Sequence, residues 1–180
     1  LAGRRITVSR LLAKLGHMAN LYSNGTIPDM RMPDELDLFN TYRAYLFPQK
    51  YPVNMTMRQT THGGLVDAVT SLTGGQVYIT TASSGVTRGG HYHTRKVERL
   101  QVVSGKALLR IRRLFSTHTE EFPLDGAVPR YVDIPTLHAH DITNTSSDAL
   151  TTLYWTNEPF DPGNPDTYQE TAQDRARTTS

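Results

Sequence analysis

Cysteine is absent from all 180 residues, which removes disulfides, thiolate-zinc sites and thiol nucleophiles. Also absent is any apolar run near the roughly 20 residues needed to span a bilayer. The opening segment LAGRRITVSRLLAKLGH is amphipathic and lacks the apolar core and small-residue cleavage site of a secretory signal. A cytoplasmic location and no membrane contact are therefore expected. Charge of one sign is scarce: 19 Lys and Arg face 17 Asp and Glu, a formal net charge of +2. So small a surplus gives no case for a nucleic-acid partner, but it leaves room for an anionic small molecule. No GxGxxG follows a β-like run, so no NAD(P) site is implied. What remains, at 37% hydrophobic, suits one globular domain with an appendage.

The chain changes texture near residue 50. Val8, Leu11, Leu12 and Leu15 recur at helical spacing after Thr7 or Ser9 as N-cap, and Pro33 and Asp34 open a second helix along Leu36, Phe39, Tyr42 and Leu46. Residues 1–50 are thus expected to form a helical extension. From Tyr51 onward, short runs rich in Val, Ile, Thr and Tyr alternate with turn residues: GQVYITTA, VERLQVV, KALLRIRRLF, PRYVDI, HAHDITN and LTTLYW. Many short strands without helices between them predict an all-β sandwich or barrel over residues 51–168. Residues 169–180 read as a polar, disordered tail.

The chemistry concentrates in SSGVTRGGHYHTRKVERLQVVSG. Residues i and i+2 of a strand share a face, so His91 and His93 can both point inward around an outward Tyr92. In the following strand Glu98 is in phase with Leu100 and Val102, which buries a carboxylate that needs a cation or hydrogen bonds to offset its desolvation. His140, in phase with Ile142 and Asn144, adds a third imidazole. Three imidazoles and one carboxylate suit zinc, iron, manganese or nickel.

These residues resemble the cupin superfamily. Its motif G(X)5HXH(X)4E(X)6G is met by Gly85, His91, His93, Glu98 and Gly105; its PXGXXHXXXN core is met by Pro135, His140 and Asn144, with Leu137 at the glycine position. The resemblance implies a double-stranded β-barrel of jelly-roll type and carries the metal-ligand role onto His91, His93, Glu98 and His140, with zinc the leading metal. SGVTRGGHYHTRKVERLQVVSGKALLRIR, VDIPTLHAHDITN and LYWTNEPFDPGNPDTY are similar, more closely, to the C-terminal cupin domain of bifunctional capsular-polysaccharide enzymes. Residues 6–47 look like the end of the preceding reductase half, with TYRAYLFP beside that family's TYLSYLP. In that family the cupin epimerises C3 of a 4-keto sugar nucleotide and the reductase then reduces the ketone. The family's opening D-x-R-G-x-x-x-E corresponds here to TTHGGLVD, with His62 at the arginine and Asp67 at the glutamate.

The resemblance implies a stand-alone, metal-dependent epimerase or isomerase of a nucleotide-linked 4-keto-6-deoxy sugar, with a separate reductase as partner. An iron-dependent oxygenase and a non-catalytic sugar-nucleotide-binding cupin are the alternatives. Candidate proton-transfer residues are His138, Lys96 and Tyr92. Arg88, Arg110, Arg112 and His62 are candidates for the substrate, the guanidinium forks matching a pyrophosphate. An open sheet edge covered by a second copy makes a homodimer the expected assembly.

Overall fold

The structure, a computed structural model, describes residues 5–173. Two helices come first, α1 (Val8–Ser23) and α2 (Pro33–Leu46), separated by the short strand β1 (Thr26–Ile27). The strands β2 (Arg58–Thr60), β3 (Gly63–Ser71), β4 (Gly75–Ala82), β5 (Thr87–Tyr92), β6 (Glu98–Ser104) and β7 (Lys106–Arg113) follow. β8 (Glu120–Asp125), β9 (Tyr131–Ile134), β10 (His138–Asn144), β11 (Leu150–Thr156) and β12 (Tyr168–Gln169) complete the order.

Thr7 caps α1, its hydroxyl accepting from the Arg10 amide at 3.2 Å. Pro33 starts α2, where a missing amide costs nothing. The buried face of α1 differs from the one expected: Val8 and Leu12 are exposed and Met18 is buried. The helix rests on α2 through Tyr22, whose ring meets Phe39 edge-on at 5.2 Å, and through Lys14, which pairs with Asp34 and Glu35. Among the described residues, no helix is long and apolar enough to cross a membrane.

The strands form two facing sheets, one ordered β1-β3-β4-β11-β6-β9 with β2 on β3, the other β12-β5-β10-β7-β8. All pairings are antiparallel except β1 with β3. This is the cupin jelly roll with an N-terminal helical extension. Strand parity builds the interior. Leu100 and Val102 of β6, Ala107, Leu109 and Ile111 of β7, Ile142 of β10 and Leu150 and Tyr154 of β11 form one apolar cluster. Pro123 falls in β8, at the sheet edge where a missing amide is tolerated.

Turns explain the remaining motif residues. Gly85 and Gly105 have φ of 73° and 89°, left-handed conformations open to glycine at little cost. Asn144, 1% exposed, donates to the carbonyls of Ala82 and Asp148 and accepts from the Ser146 amide and hydroxyl. Leu137 has φ of 59°, so the backbone keeps the glycine conformation although the residue is leucine. Left-handed φ costs a branched side chain about 1–2 kcal/mol, partly offset by glycine's greater unfolded-state freedom. Leu137→Gly is therefore expected to raise stability by about 0.5–1 kcal/mol, read from urea unfolding.

The tail departs from expectation at its start. Tyr168 and Gln169 pair with β5, Ala172 is fully buried, and the Thr119 hydroxyl donates to its carbonyl at 2.8 Å. Residues 174–180 lie outside the described residues.

Candidate metal centre

His91 lies one residue before the end of β5, His93 just beyond it, Glu98 begins β6 and His140 lies in β10, so both sheets contribute to one cluster. One ligand atom from each of these four residues lies within 4.8 Å of the others. The β5–β10 register places His140 opposite His91, with ring centroids 4.6 Å apart. Glu98 is 2% exposed. Its Oε1 accepts from the Tyr78 hydroxyl at 2.6 Å. Its Oε2 lies 3.1 Å from His140 Nε2 and 3.5 Å from His93 Nε2, yet it has no aligned hydrogen-bond partner.

The electrostatics follow from this packing. Burial pushes the Glu98 carboxyl up, but the imidazoles of His140 and His93 and the Tyr78 hydroxyl outweigh it and hold it well below the ordinary range. Burial, reinforced by His140, lowers His91 to about 4. Burial also opposes charge on His93, but Glu98 and the Asp166 carbonyl prevail and raise it. An orphaned buried carboxylate oxygen ringed by three imidazoles fits a divalent cation: ligands must be deprotonated, and a cation repays the burial of the carboxylate. The absence of thiolates leaves the metal's identity open among borderline and harder ions.

The cluster lines a cavity of about 410 Å³, within the roughly 300–1,000 Å³ of small-molecule sites. Gln76, Tyr78 and Thr80 of β4 and Tyr154 and Thr156 of β11 form one wall. Tyr78 and Tyr154 stack with centroids 4.8 Å apart, and burial raises both phenols, which keeps them protonated. Arg88 also lines the cavity, and its Nη1 is buried without a hydrogen-bond partner. Buried Lys96 and the exposed Phe160, Arg58 and Asp67 complete the lining. Lys96 is 5% exposed, donates from Nζ to the Pro165 carbonyl at 2.7 Å and sits 5.3 Å from the Phe160 ring centre.

The cavity therefore brings together His91, His93, Glu98, His140, Arg88 and Lys96 of the residues singled out in the sequence. The other candidates stand elsewhere. Tyr92 points away and stacks on Tyr168 at 5.2 Å. His138, at the start of β10, binds the Thr136 carbonyl through Nδ1 at 2.8 Å and does not line the cavity. Arg110 and Arg112 take the outer face of β7, because Ala107, Leu109 and Ile111 take the inner one. Arg110 pairs with Glu121 and Asp141, and Arg112 is fully buried against Glu170. His62 is exposed in the β2–β3 turn, outside the cavity lining.

Among the cavity residues that escaped the sequence reading are Arg58, Gln76, Tyr78 and Tyr154. Arg58 donates to Asp67 Oδ2 at 2.7 Å, and Gln76 donates to Asp67 Oδ1 at 2.7 Å, placing a guanidinium at the mouth where TTHGGLVD lacks one. Tyr78 and Tyr154 were legible from the period of two in GQVYITTA and LTTLYW, since each is in phase with buried neighbours.

The chain is similar to several known proteins. The family described as "Polysaccharide biosynthesis C-terminal domain" matches residues 58–168. The chain is 34% identical over 131 residues to UDP-2-acetamido-2,6-beta-L-arabino-hexul-4-ose reductase of Pseudomonas aeruginosa, covering 73% of this chain and 35% of that protein. It superposes on the capsular polysaccharide assembling protein CapF of Staphylococcus aureus with TM-score 0.78 and 32% identity, over 89% of this chain and 43% of that one. It also matches CapF bound to the inhibitor 3-isopropenyl-tropolone with TM-score 0.83 and 30% identity, over 92% of this chain and 49% of that one. The chain thus spans about a third of the curated relative and about half of these solved chains.

Proposed function

The chain belongs to the polysaccharide biosynthesis C-terminal domain family, and from that premise we propose that it is a metal-dependent epimerase of nucleotide-linked 4-keto-6-deoxy sugars, inverting C3. One observation carries the proposal: a three-histidine, one-glutamate cluster shares its cavity with a lysine and two arginines. His91, His93, Glu98 and His140 would hold the cation, with zinc the first choice among zinc, iron, manganese and nickel. Such a cation, when bound, would supply Lewis acidity to a ketone and so acidify the proton on the neighbouring carbon.

This chain's own residues do the rest. Arg88 presents an unpartnered Nη1 for a substrate oxygen, and Arg58 stands at the mouth where a diphosphate would pass. The Tyr78–Tyr154 stack and Leu100 wall off water. Lys96 is the acid placed to return a proton at C3, its ammonium held by the Pro165 carbonyl beside the cavity, while a base on the opposite side of the sugar takes the first proton. Removal from one face and return from the other inverts the carbon without net redox change. Reduction of the ketone falls to a nicotinamide-binding reductase, consistent with the reductase named among the relatives.

Proton NMR in deuterium oxide tests this, using zinc-loaded protein and a panel of UDP-linked 4-keto-6-deoxy sugars. Loss of the C3 proton signal is expected. An unchanged C3 signal across the panel, with metal present, would sink the epimerase and leave oxygen chemistry or simple binding as the use of the cavity.

A further inference from the structure

The turn between His93 and Glu98 is gripped by a single carboxylate from the far end of the chain. The Asp166 side chain is wholly buried. Its Oδ1 accepts from the Thr94 amide at 3.0 Å and the Thr94 hydroxyl at 2.5 Å. Its Oδ2 accepts from the amides of Arg95 and Lys96, both at 2.9 Å. Burial pushes this carboxyl up, but the Thr94 hydroxyl and the three amides outweigh it and hold it far below the ordinary range.

The backbone of the same residue reaches a ligand. The Asp166 carbonyl lies 2.6 Å from His93 Nδ1. A carbonyl can only accept, so Nδ1 carries the proton and Nε2, the atom facing Glu98, keeps its lone pair. The preceding carbonyl, that of Pro165, holds Lys96 Nζ. Asp166 also has φ of 46°, a left-handed conformation that Asp and Asn tolerate better than most residues. Beyond it, Arg112 donates to Glu170 Oε1 and the Thr171 carbonyl, both at 2.5 Å. That fastening gives Arg112 its place.

We infer that Asp166 is the positioning residue of this centre. Its carboxylate fixes the 94–96 turn, and its carbonyl selects the His93 tautomer that can take a metal. The inference rests on the metal reading proposed above. It does not need the sugar chemistry. Partners of this kind orient a ligand and raise its basicity, and their loss costs about 10–100-fold in metal affinity.

The test is Zn²⁺ affinity of the metal-free chain, measured by competition with a chromophoric chelator, for wild type, Asp166→Ala and Asp166→Asn. The alanine variant is expected to bind about 10–100-fold more weakly. The asparagine variant, which keeps one carbonyl oxygen and the left-handed preference, should fall between. Nitrogen NMR of the His93 ring in metal-free protein supplies a second readout: a protonated Nδ1 in wild type and, because the lost carboxylate no longer holds residue 166 and its carbonyl against the ring, a mixture of tautomers in the alanine variant. Should the alanine variant fail to fold, the asparagine variant decides by the same two measurements. Affinities within twofold of wild type in the folded variants, with the His93 tautomer unchanged, would overturn the inference. A wild-type chain that binds no Zn²⁺ overturns it together with the metal reading. Zn²⁺ binding without C3 exchange overturns only the epimerase.

Discussion

Glu98→Gln protein is expected to lose its metal, with affinity for Zn²⁺ falling by about 100-fold or more, beyond what loss of an outer partner costs. The substitution is nearly isosteric, so the cavity keeps its shape and Gln Oε1 can still accept from Tyr78, as Glu98 Oε1 does at 2.6 Å. What changes is the atom facing the imidazoles. Oε2, 3.1 Å from His140 Nε2 and without an aligned partner, becomes an amide nitrogen that offers hydrogens where a cation needs a lone pair. The centre also loses the negative charge that offsets the cation's own desolvation. Metal analysis by plasma emission, with circular dichroism to show that the barrel persists, reads the result. Stoichiometric metal in folded Glu98→Gln protein would remove Glu98 from the ligand set.

Lys96→Met should leave metal binding intact and slow exchange of the C3 proton by about 10²–10⁴-fold, the range a positioned acid–base group contributes. Methionine keeps an unbranched apolar stem against Phe160, over which the Lys96 ammonium sits at 5.3 Å. It removes the ammonium that donates to the Pro165 carbonyl. The two variants separate the two halves of the chemistry: one empties the centre, the other keeps the metal and loses the proton carrier. Exchange at the wild-type rate in Lys96→Met would move the proton transfer to another cavity residue, with the protonated phenol of Tyr154 next in line.

The correspondence between sequence and structure follows one physical rule. Alternation along a strand decides which side chains share a face, and that information is local. It placed Glu98 with Leu100 and Val102, and those residues are buried together. It placed Tyr92 opposite to His91 and His93, and Tyr92 does face away, onto Tyr168. The glycine-framed His-X-His and the later His140 are therefore readable in one dimension, and the short strands around them predict a sandwich or barrel that the resemblance to cupins narrows to a jelly roll.

Alternation does not say what covers a face, or where along the barrel a residue sits. Arg110 and Arg112 were rightly assigned to one face of β7, but that face is the outer one, where Glu121 and the C-terminal segment meet them. His138 is two residues from His140, yet it lies at the end of its strand and misses the cavity. Lys96, in a turn with no periodicity to read, enters the cavity because Pro165 and Asp166 draw the turn inward. The sequence by itself set His91, His93 and Glu98 on facing sides of one turn and predicted an all-β fold, because both rest on spacing within a strand or across one turn, while the ligand role of His140 and the jelly roll came from the resemblance to cupins. Only the tertiary structure decided which cations reach the cavity and which distant carboxylate holds the ligand turn. Those depend on contacts between Thr94 and Asp166, 72 residues apart, and no local periodicity encodes such a separation.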